Sequence, residues 1–380
     1  MGEPIDARTA ARWLGVDVRT LYAYVSRGAL RRVPGPDGRS SRYDSDELEL
    51  LARRSRPRTL PRPPASIDLV IATRVSLISD GAVRYRGTDV LDLVAAGEPF
   101  EAVAGLLWSG RLERAGKSWT LTAGQAGVVQ RMAQALDDAA PAAARFAAVA
   151  AALAEDANPA VPPDWAGWGR TIVAAFIETC APGTAGSVAE RLWQGFSPLR
   201  PTAARVRALG TALVLLAEHE LAVSTLAVRV AASARAAPPG CVLAGLGALS
   251  GALHGDMPRL VRERLRGQPG GDWDSWPGFG HSVHTRGDPR AAPLLRAVER
   301  IAAPGDRDLI NRVTRAAPAP PNSDFALAAL CHVARMPAQA PTALFAVART
   351  AGWIAHAAEE YGEPQLRFRG RAVAPGRRPR

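Results

Sequence analysis

Lysine is almost missing: Lys117 is the only one among 47 basic residues, so the net charge of +11 rests on arginine. Such a bias reflects genome composition, and the place of the charge says more than its sum. Residues 1–62 hold 13 arginines against 8 acids, +5 of the net charge, and the last 14 residues add six arginines and no acid. Cysteine is scarce and odd in number (Cys180, Cys241, Cys331), with no CxxC pair, which excludes a disulfide framework and a cysteine zinc site. Aromatic residues make up 6% and no Val/Ile alternation is sustained, which argues against a β-sandwich or barrel. Every long apolar run is interrupted by charge, Gly or Pro, and MGEPIDARTA lacks a basic-then-apolar signal pattern. These absences predict a soluble cytoplasmic protein without a membrane span. What remains, 47% apolar residues with abundant alanine over 380 residues, predicts an all-α protein of two or three domains with a sizeable core.

Residues 6–26 read as two short helices around a turn at Gly15, with Ala10, Trp13, Leu14, Val18, Leu21 and Val25 at helical spacing and Asp17 as N-cap of the second. A Pro/Gly turn (PGPDGRS) and SRYDSDELELL follow. With SRGAL before them, these pieces resemble the small wing and third helix of MerR- and excisionase-type DNA-binding domains, completing a winged helix-turn-helix. That resemblance implies DNA binding through residues 1–60, with Arg19, Thr20, Tyr22 and Arg27 at the groove. A small docking domain of the same shape is the other reading. RRSRPRTLPRPPAS (53–66) has the composition of a semi-rigid linker. Domain boundaries are set at 1–52, 53–66 and 67–376.

Beyond the linker, SDG reads as a turn, VRYRG as a short extended piece, and DVLDLVAAG and PFEAVAGLLWSG as amphipathic helices. Residues 113–205 are alanine-rich helices, one of them starting near Trp168, and yield no chemistry. A helix is expected over 215–234, with His219 in it; a single histidine there reads as structural.

The informative stretch is Gly245 to Arg290. It opens with GLGALSGALHGD, carrying His254, and closes with PGFGHSVHTRGDPR, carrying His281, Asp288 and Arg290. Glycines on both sides let backbone approach a ligand and leave the imidazoles uncovered, unlike a core histidine. Together with YRG at 85–87, HELAVST at 219–225, PNSDF ending at Phe325 and RTAGWIAH at 349–356, these motifs resemble the citrate synthase family over roughly 72–376. The resemblance implies helical large and small domains (the small one near 215–325) and condensation of acetyl-CoA with oxaloacetate, with no cofactor and no metal. It implies Asp324 as the base, His254 as donor to the thioester oxygen, and His281 as the group polarising the keto carbonyl. It assigns Arg290, Arg349, Arg369 and His219 to oxaloacetate, with Arg369 crossing to the neighbouring subunit of a homodimer.

The chain leaves the family pattern after His254. Asp256, Met257, Pro258 and Arg259 replace the usual G-A-N-E, so a negative charge is expected beside the histidine and an early break in the next helix. Ala222 replaces the motif asparagine, the segment around Gly270 is short, and Gly370 replaces a proline beside Arg369. Two further readings stay open: a 2-methylcitrate synthase using propionyl-CoA, or a DNA-binding regulator whose enzyme-like domain senses metabolites.

Overall fold

Asp6 starts the first helix of the chain by accepting the Thr9 amide at 3.0 Å and the Thr9 hydroxyl at 2.8 Å, the bonds of a helix N-cap. The computed structural model describes residues 4–13, 18–26, 30–34, 41–44, 69–113, 118–137, 140–157, 163–251, 254–267 and 276–370. It divides into two compact units, Met1–Ile71 and Ala72–Arg380. The first unit contains β1 (Pro4–Asp6), α1 (Ala7–Trp13), α2 (Val18–Ser26), β2 (Val33–Pro34) and β3 (Ser41–Asp44). β3 is the middle strand, antiparallel to both neighbours, with Ile5 opposite Tyr43 and Val33 opposite Arg42. Ala10, Ala11, Leu21, Leu30 and Tyr43 form its core, with Ile5, Val18 and Val25 packed against them. The helix pair lies where its periodicity placed it, and SRYD is extended. Strand β1 was not anticipated, because three residues are too short to show alternation. Gly15, Asp17, the segment after Asp44 and the linker lie outside the described residues.

The second unit opens with a meander, β4 (Ser76–Ser79), β5 (Ala82–Tyr85) and β6 (Thr88–Asp89). Its two turns, Asp80-Gly81 and Arg86-Gly87, each have both residues at positive φ (53° and 77°, 49° and 88°), the twist that two-residue hairpins require. Fourteen described helices follow: α3 (Val90–Ala95), α4 (Phe100–Ser109), α5 (Ala123–Ala135), α6 (Ala142–Leu153), α7 (Trp165–Cys180), α8 (Val188–Phe196), α9 (Ala203–Leu216), α10 (Val223–Ser233), α11 (Pro238–Leu249), α12 (Met257–Arg266), α13 (Ala291–Glu299), α14 (Pro304–Ala316), α15 (Ser323–Val333) and α16 (Ala340–Tyr361). Their starts are chemically marked. Thr122 with Gln125 and Ser187 with Glu190 form capping boxes on α5 and α8. The helix expected from Trp168 begins three residues earlier, because Asp164 accepts the Gly167 amide. The described residues are thus mostly helical, as the all-α expectation has it, with one small three-stranded sheet in each unit.

A helix that is apolar on all sides belongs inside. α16 has that character from Ala340 to Ala357, every one of those residues is buried, and α4, α6, α7, α10 and α11 surround it. Among the described residues no helix is long and apolar enough to cross a membrane. Small residues let the neighbours close in: a Cβ at Gly245 of α11 would strike Trp353 and Val228, and one at Gly352 would overlap the Glu218 carboxylate and the Ala217 carbonyl. Gly352→Ala is therefore expected to destabilise the second unit by about 3 kcal/mol through overpacking against backbone that cannot move. A urea midpoint unchanged from the parent would disprove this.

Candidate active site

The helix expected over 215–234 is broken. α9 stops at Leu216 and α10 starts at Val223, leaving His219 on the irregular segment between them, with Glu220 at φ 52°. The break exists because side chains take over the last carbonyls of α9, which otherwise need the next turn of helix. The Tyr85 hydroxyl lies 3.1 and 3.2 Å from the carbonyls of Val214 and Leu215, and it accepts the Glu218 amide. Arg349 Nε donates to the Leu216 carbonyl at 2.9 Å, and the Gly352 amide donates to Ala217 at 3.1 Å. The excursion is also pinned to the meander. Ser76 Oγ donates to Glu218 and receives the Glu220 amide, while the Ile78 amide donates to the Glu220 carboxylate at 2.8 Å. Behind it lies a buried charge relay. Arg229 donates to His356 Nδ1 at 2.9 Å and pairs with Glu359 and Glu360, which leaves the His356 proton on Nε2, 3.3 Å from Glu218 Oε1.

The second wall is the glycine-rich loop before Arg290. Gly278 takes φ 88°, and a Cβ there would strike Val261 and Phe325, so the loop packs directly on α12 and α15. It is tied to the entry of α15 by a bridge between Phe279 and Pro321 and by three bonds. The Gly280 amide donates to Pro320, the Asn322 amide to Gly278, and Asn322 Nδ2 to Gly280. Asn322 Oδ1 caps α15 by accepting the amides of Asp324 and Phe325. Asp288 joins the two segments. Its carboxylate accepts the Ser323 amide and holds the Arg290 guanidinium in a two-pronged pair, both bonds at 2.9 Å. Arg290 and Asp288 hold each other in one orientation, and the Asp288 carboxyl lies far below the usual range.

Burial and two arginines set the protonation states. His254 and His281 are both pushed down to about 4, first by burial and then by Arg349 and Arg290 respectively, so both are neutral at neutral pH. The tautomer of His281 follows from its partners. His281 Nδ1 accepts the backbone amides of Val283 (3.0 Å) and His284 (3.2 Å), so its proton sits on Nε2, free for a ligand. His254 Nε2 lies 2.8 Å from Ser224 Oγ, which also receives Trp353 Nε1 at 3.3 Å. Asp324 is raised to about 6 by burial, opposed by Arg290 and Arg349, and its carboxylate accepts no hydrogen bond among the described residues. A carboxylate with no hydrogen-bond partner among the described residues and two guanidiniums in electrostatic reach, in one fold with neutral imidazoles, is suited to taking a proton from a weak carbon acid and holding the resulting oxyanion.

The family model "Citrate synthase, C-terminal domain" matches residues 68–371. The chain belongs to the citrate synthase family. Citrate synthase 2 of Bacillus subtilis is 29% identical over 343 residues, covering 78% of this chain and 92% of that protein. 2-Methylcitrate synthase 2 of Corynebacterium glutamicum is 30% identical over 218 residues, 50% of this chain and 56% of that protein. Among solved structures, citrate synthase of Thermoplasma acidophilum, as a ternary complex with carboxymethyl coenzyme A and oxaloacetate, superposes with a TM-score of 0.68 at 24% identity. That superposition covers 82% of this chain and 95% of the other.

The citrate synthase fold of this chain brings Arg290 into electrostatic reach of His219, His281 and Asp324, and Arg349 into reach of His219, Asp324 and His254. Arg369 is exposed. Tyr22 is 50% exposed on α2; Arg27 and the side chains of Arg19 and Thr20 lie outside what is described. Among the described residues no group of three His, Cys, Asp or Glu side chains could hold a metal ion. Both expectations about the run after His254 are corrected. Asp256 is held by Arg259 in two bonds of 2.6 and 2.7 Å, so its charge is neutralised within the turn, and Arg259 also reaches Glu263. Pro258 does not end a helix. It lies in the first turn of α12, where a missing N–H costs nothing. Sequence reasoning missed Tyr85, Glu218, Ser224 and His284 as parts of the site. For His284 a signal was present, since a turn brings it back to His281 three residues earlier.

Asp324 gives a stability signature. Its folded value near 6 exceeds that of an ordinary aspartate, so the fold favours the protonated carboxyl. That contribution is complete below the unfolded value and is lost as the pH rises through 6. Asp324→Asn, which cannot ionise, is expected to be more stable than the parent at about pH 8 by on the order of 1–3 kcal/mol, and level with it at about pH 4, in urea melts. Equal midpoints at both pH values would contradict a carboxyl held up by burial.

Proposed function

We propose that the second unit is a citrate-synthase-type acyltransferase that condenses acetyl-CoA with oxaloacetate to give citrate and CoA. The observation that carries the reading is Asp324, a carboxylate near 6 with no hydrogen-bond partner among the described residues and in reach of Arg290 and Arg349, in a fold that also keeps His254 and His281 neutral. The relatives named citrate synthase, and the Thermoplasma enzyme with its CoA analogue and oxaloacetate, supply the substrate class.

Asp324 takes a proton from the thioester methyl group while His254 holds the developing enolate oxygen, so charge moves from carboxylate to oxygen against a donor already in place. His281 Nε2–H polarises the keto carbonyl of oxaloacetate and gives its proton to the alkoxide as the carbon–carbon bond forms. Arg290, prearranged by Asp288, and Arg349 hold the two carboxylates, with His219 beside them. Hydrolysis of the citryl thioester then releases CoA. Arg369, exposed in one chain, suits a role across the interface of a homodimer. The acyl chain is the finer question: propionyl-CoA would make the product 2-methylcitrate, and one methylene in a pocket discriminates by only ~1–3 kcal/mol.

The first unit supports a second, separate reading. It has its own core and exposes Tyr22 on α2, consistent with a helix-turn-helix domain that places DNA binding beside the enzyme. Whether the acyl site then works as a sensor or as an enzyme is decided by turnover.

CoA release from acetyl-CoA or propionyl-CoA with oxaloacetate tests the first reading. The intact chain should turn over one of them, and Asp324→Ala should lower the rate roughly 10²- to 10⁴-fold. No turnover at high protein concentration, or an equal rate in the variant, would refute it. For the first unit, removing residues 1–71 should leave turnover intact and abolish salt-sensitive binding to duplex DNA. Binding retained by the shortened chain would place it elsewhere.

A further inference from the structure

Three imidazoles meet in this site. The rings of His219 and His281 are 5.2 Å apart, those of His219 and His284 5.1 Å, and those of His281 and His284 4.9 Å. His281 has its tautomer fixed by backbone, as described above. His219 and His284 are different. Both are buried, and their Nε2 atoms face each other at 2.9 Å. Two nitrogens at that distance form a hydrogen bond only when one carries a proton and the other a lone pair. The neutral pair therefore holds a single proton at the junction. A pair with one added proton keeps the same contact, as an imidazolium donating Nε2–H to a neutral imidazole, a stronger charge-assisted bond. A second added proton would set two donors nose to nose and break it.

We infer that His219 and His284 form a proton-sharing pair, with His284 the positioning residue, and that the pair takes up one proton when a dicarboxylate binds at Arg290 and Arg349. This rests on the dicarboxylate part of the reading above. The groups facing the pair explain the coupling. Arg290 and Arg349 bear on His219 from the loop and from α16, and together with burial they keep it neutral in the empty site. His281 opposes a charge, whereas Asp288, already engaged by Arg290, favours one. Tyr85 keeps its proton, and Glu218 points away to His356. A dianion neutralises the two guanidiniums, removes the charge repulsion that acts on top of burial, and adds an acceptor for the imidazolium. The proton comes from solvent, and the pair passes from neutral to monocation. His284 is needed because it supplies the buried acceptor for the Nε2–H of a charged His219.

The test is calorimetric titration of the full chain with oxaloacetate near neutral pH, in buffers of different ionisation enthalpy. The parent protein should take up about one proton per site, and its affinity should fall close to tenfold for each unit of pH above neutrality. His284→Gln still offers a side-chain oxygen to the Nε2–H of a charged His219, so it should bind within about tenfold of the parent and keep the uptake. His284→Phe removes that acceptor and should lose both the uptake and more of the affinity. Binding by the parent with no proton uptake and a flat pH profile would overturn the inference, even if neither variant folds. Unchanged uptake in a folded His284→Phe would overturn it as well. No oxaloacetate heat from a folded parent would instead overturn the dicarboxylate reading, and this inference with it.

Discussion

The site depends on how α9 ends. A helix that stops in the interior leaves carbonyls without partners, and buried carbonyls have to be satisfied. Here the partners are the Tyr85 hydroxyl, Arg349 Nε and the Gly352 amide, drawn from the meander and from the central helix α16. The same bonds do three things at once. They free residues 217–222 from helical geometry so that His219 can leave the helix. They also fix Arg349 by one nitrogen, leaving the rest of its guanidinium to the site, and they lock the meander to the helical core.

Electrostatics then divides the labour between arginine and histidine. Desolvation would make every charged group in this interior costly if it stood alone. Arg290 meets Asp288, and Arg229 meets Glu359, Glu360 and His356, so those charges are paired where they are buried. The histidines of the site respond to the same field by staying neutral, which makes them selective donors rather than cations. Asp324 receives the opposite treatment. Burial lifts it, Arg290 and Arg349 hold it back, and the balance near 6 leaves it ionised at neutral pH yet basic enough to accept a proton.

The run after His254, the chain's clearest departure from the family pattern, turns out to be self-contained. Asp256 and Arg259 satisfy each other across one turn, and Pro258 sits where a helix tolerates proline. The negative charge next to His254 is thus balanced by a residue that departs from the pattern along with it. His254 is tuned from the other side, by Ser224 and Trp353.

Much was legible from sequence because it depends on local chemistry. The helix pair near the N-terminus, the turn at Asp80-Gly81, the extended VRY, the helices α3 and α4, and the candidacy of His254, His281, Asp324, Arg290 and Arg349 follow from spacing, glycine and motif, whereas Arg86-Gly87, read as extended, is a turn. The break at 217–222 was not legible, because LLAEHELAVST has sound helical periodicity and what interrupts it lies 130 residues away in either direction, at Tyr85 and Arg349. Nor could the sequence tell the tautomer of His281 or the meeting of His219 with His284. Sequence alone determined which residue types were available and which segments would be helical, since propensity and periodicity act over a few residues. Tertiary structure decided which carbonyls went unpaired, which charges lost water and which nitrogen kept its proton, because those depend on neighbours that only folding brings together.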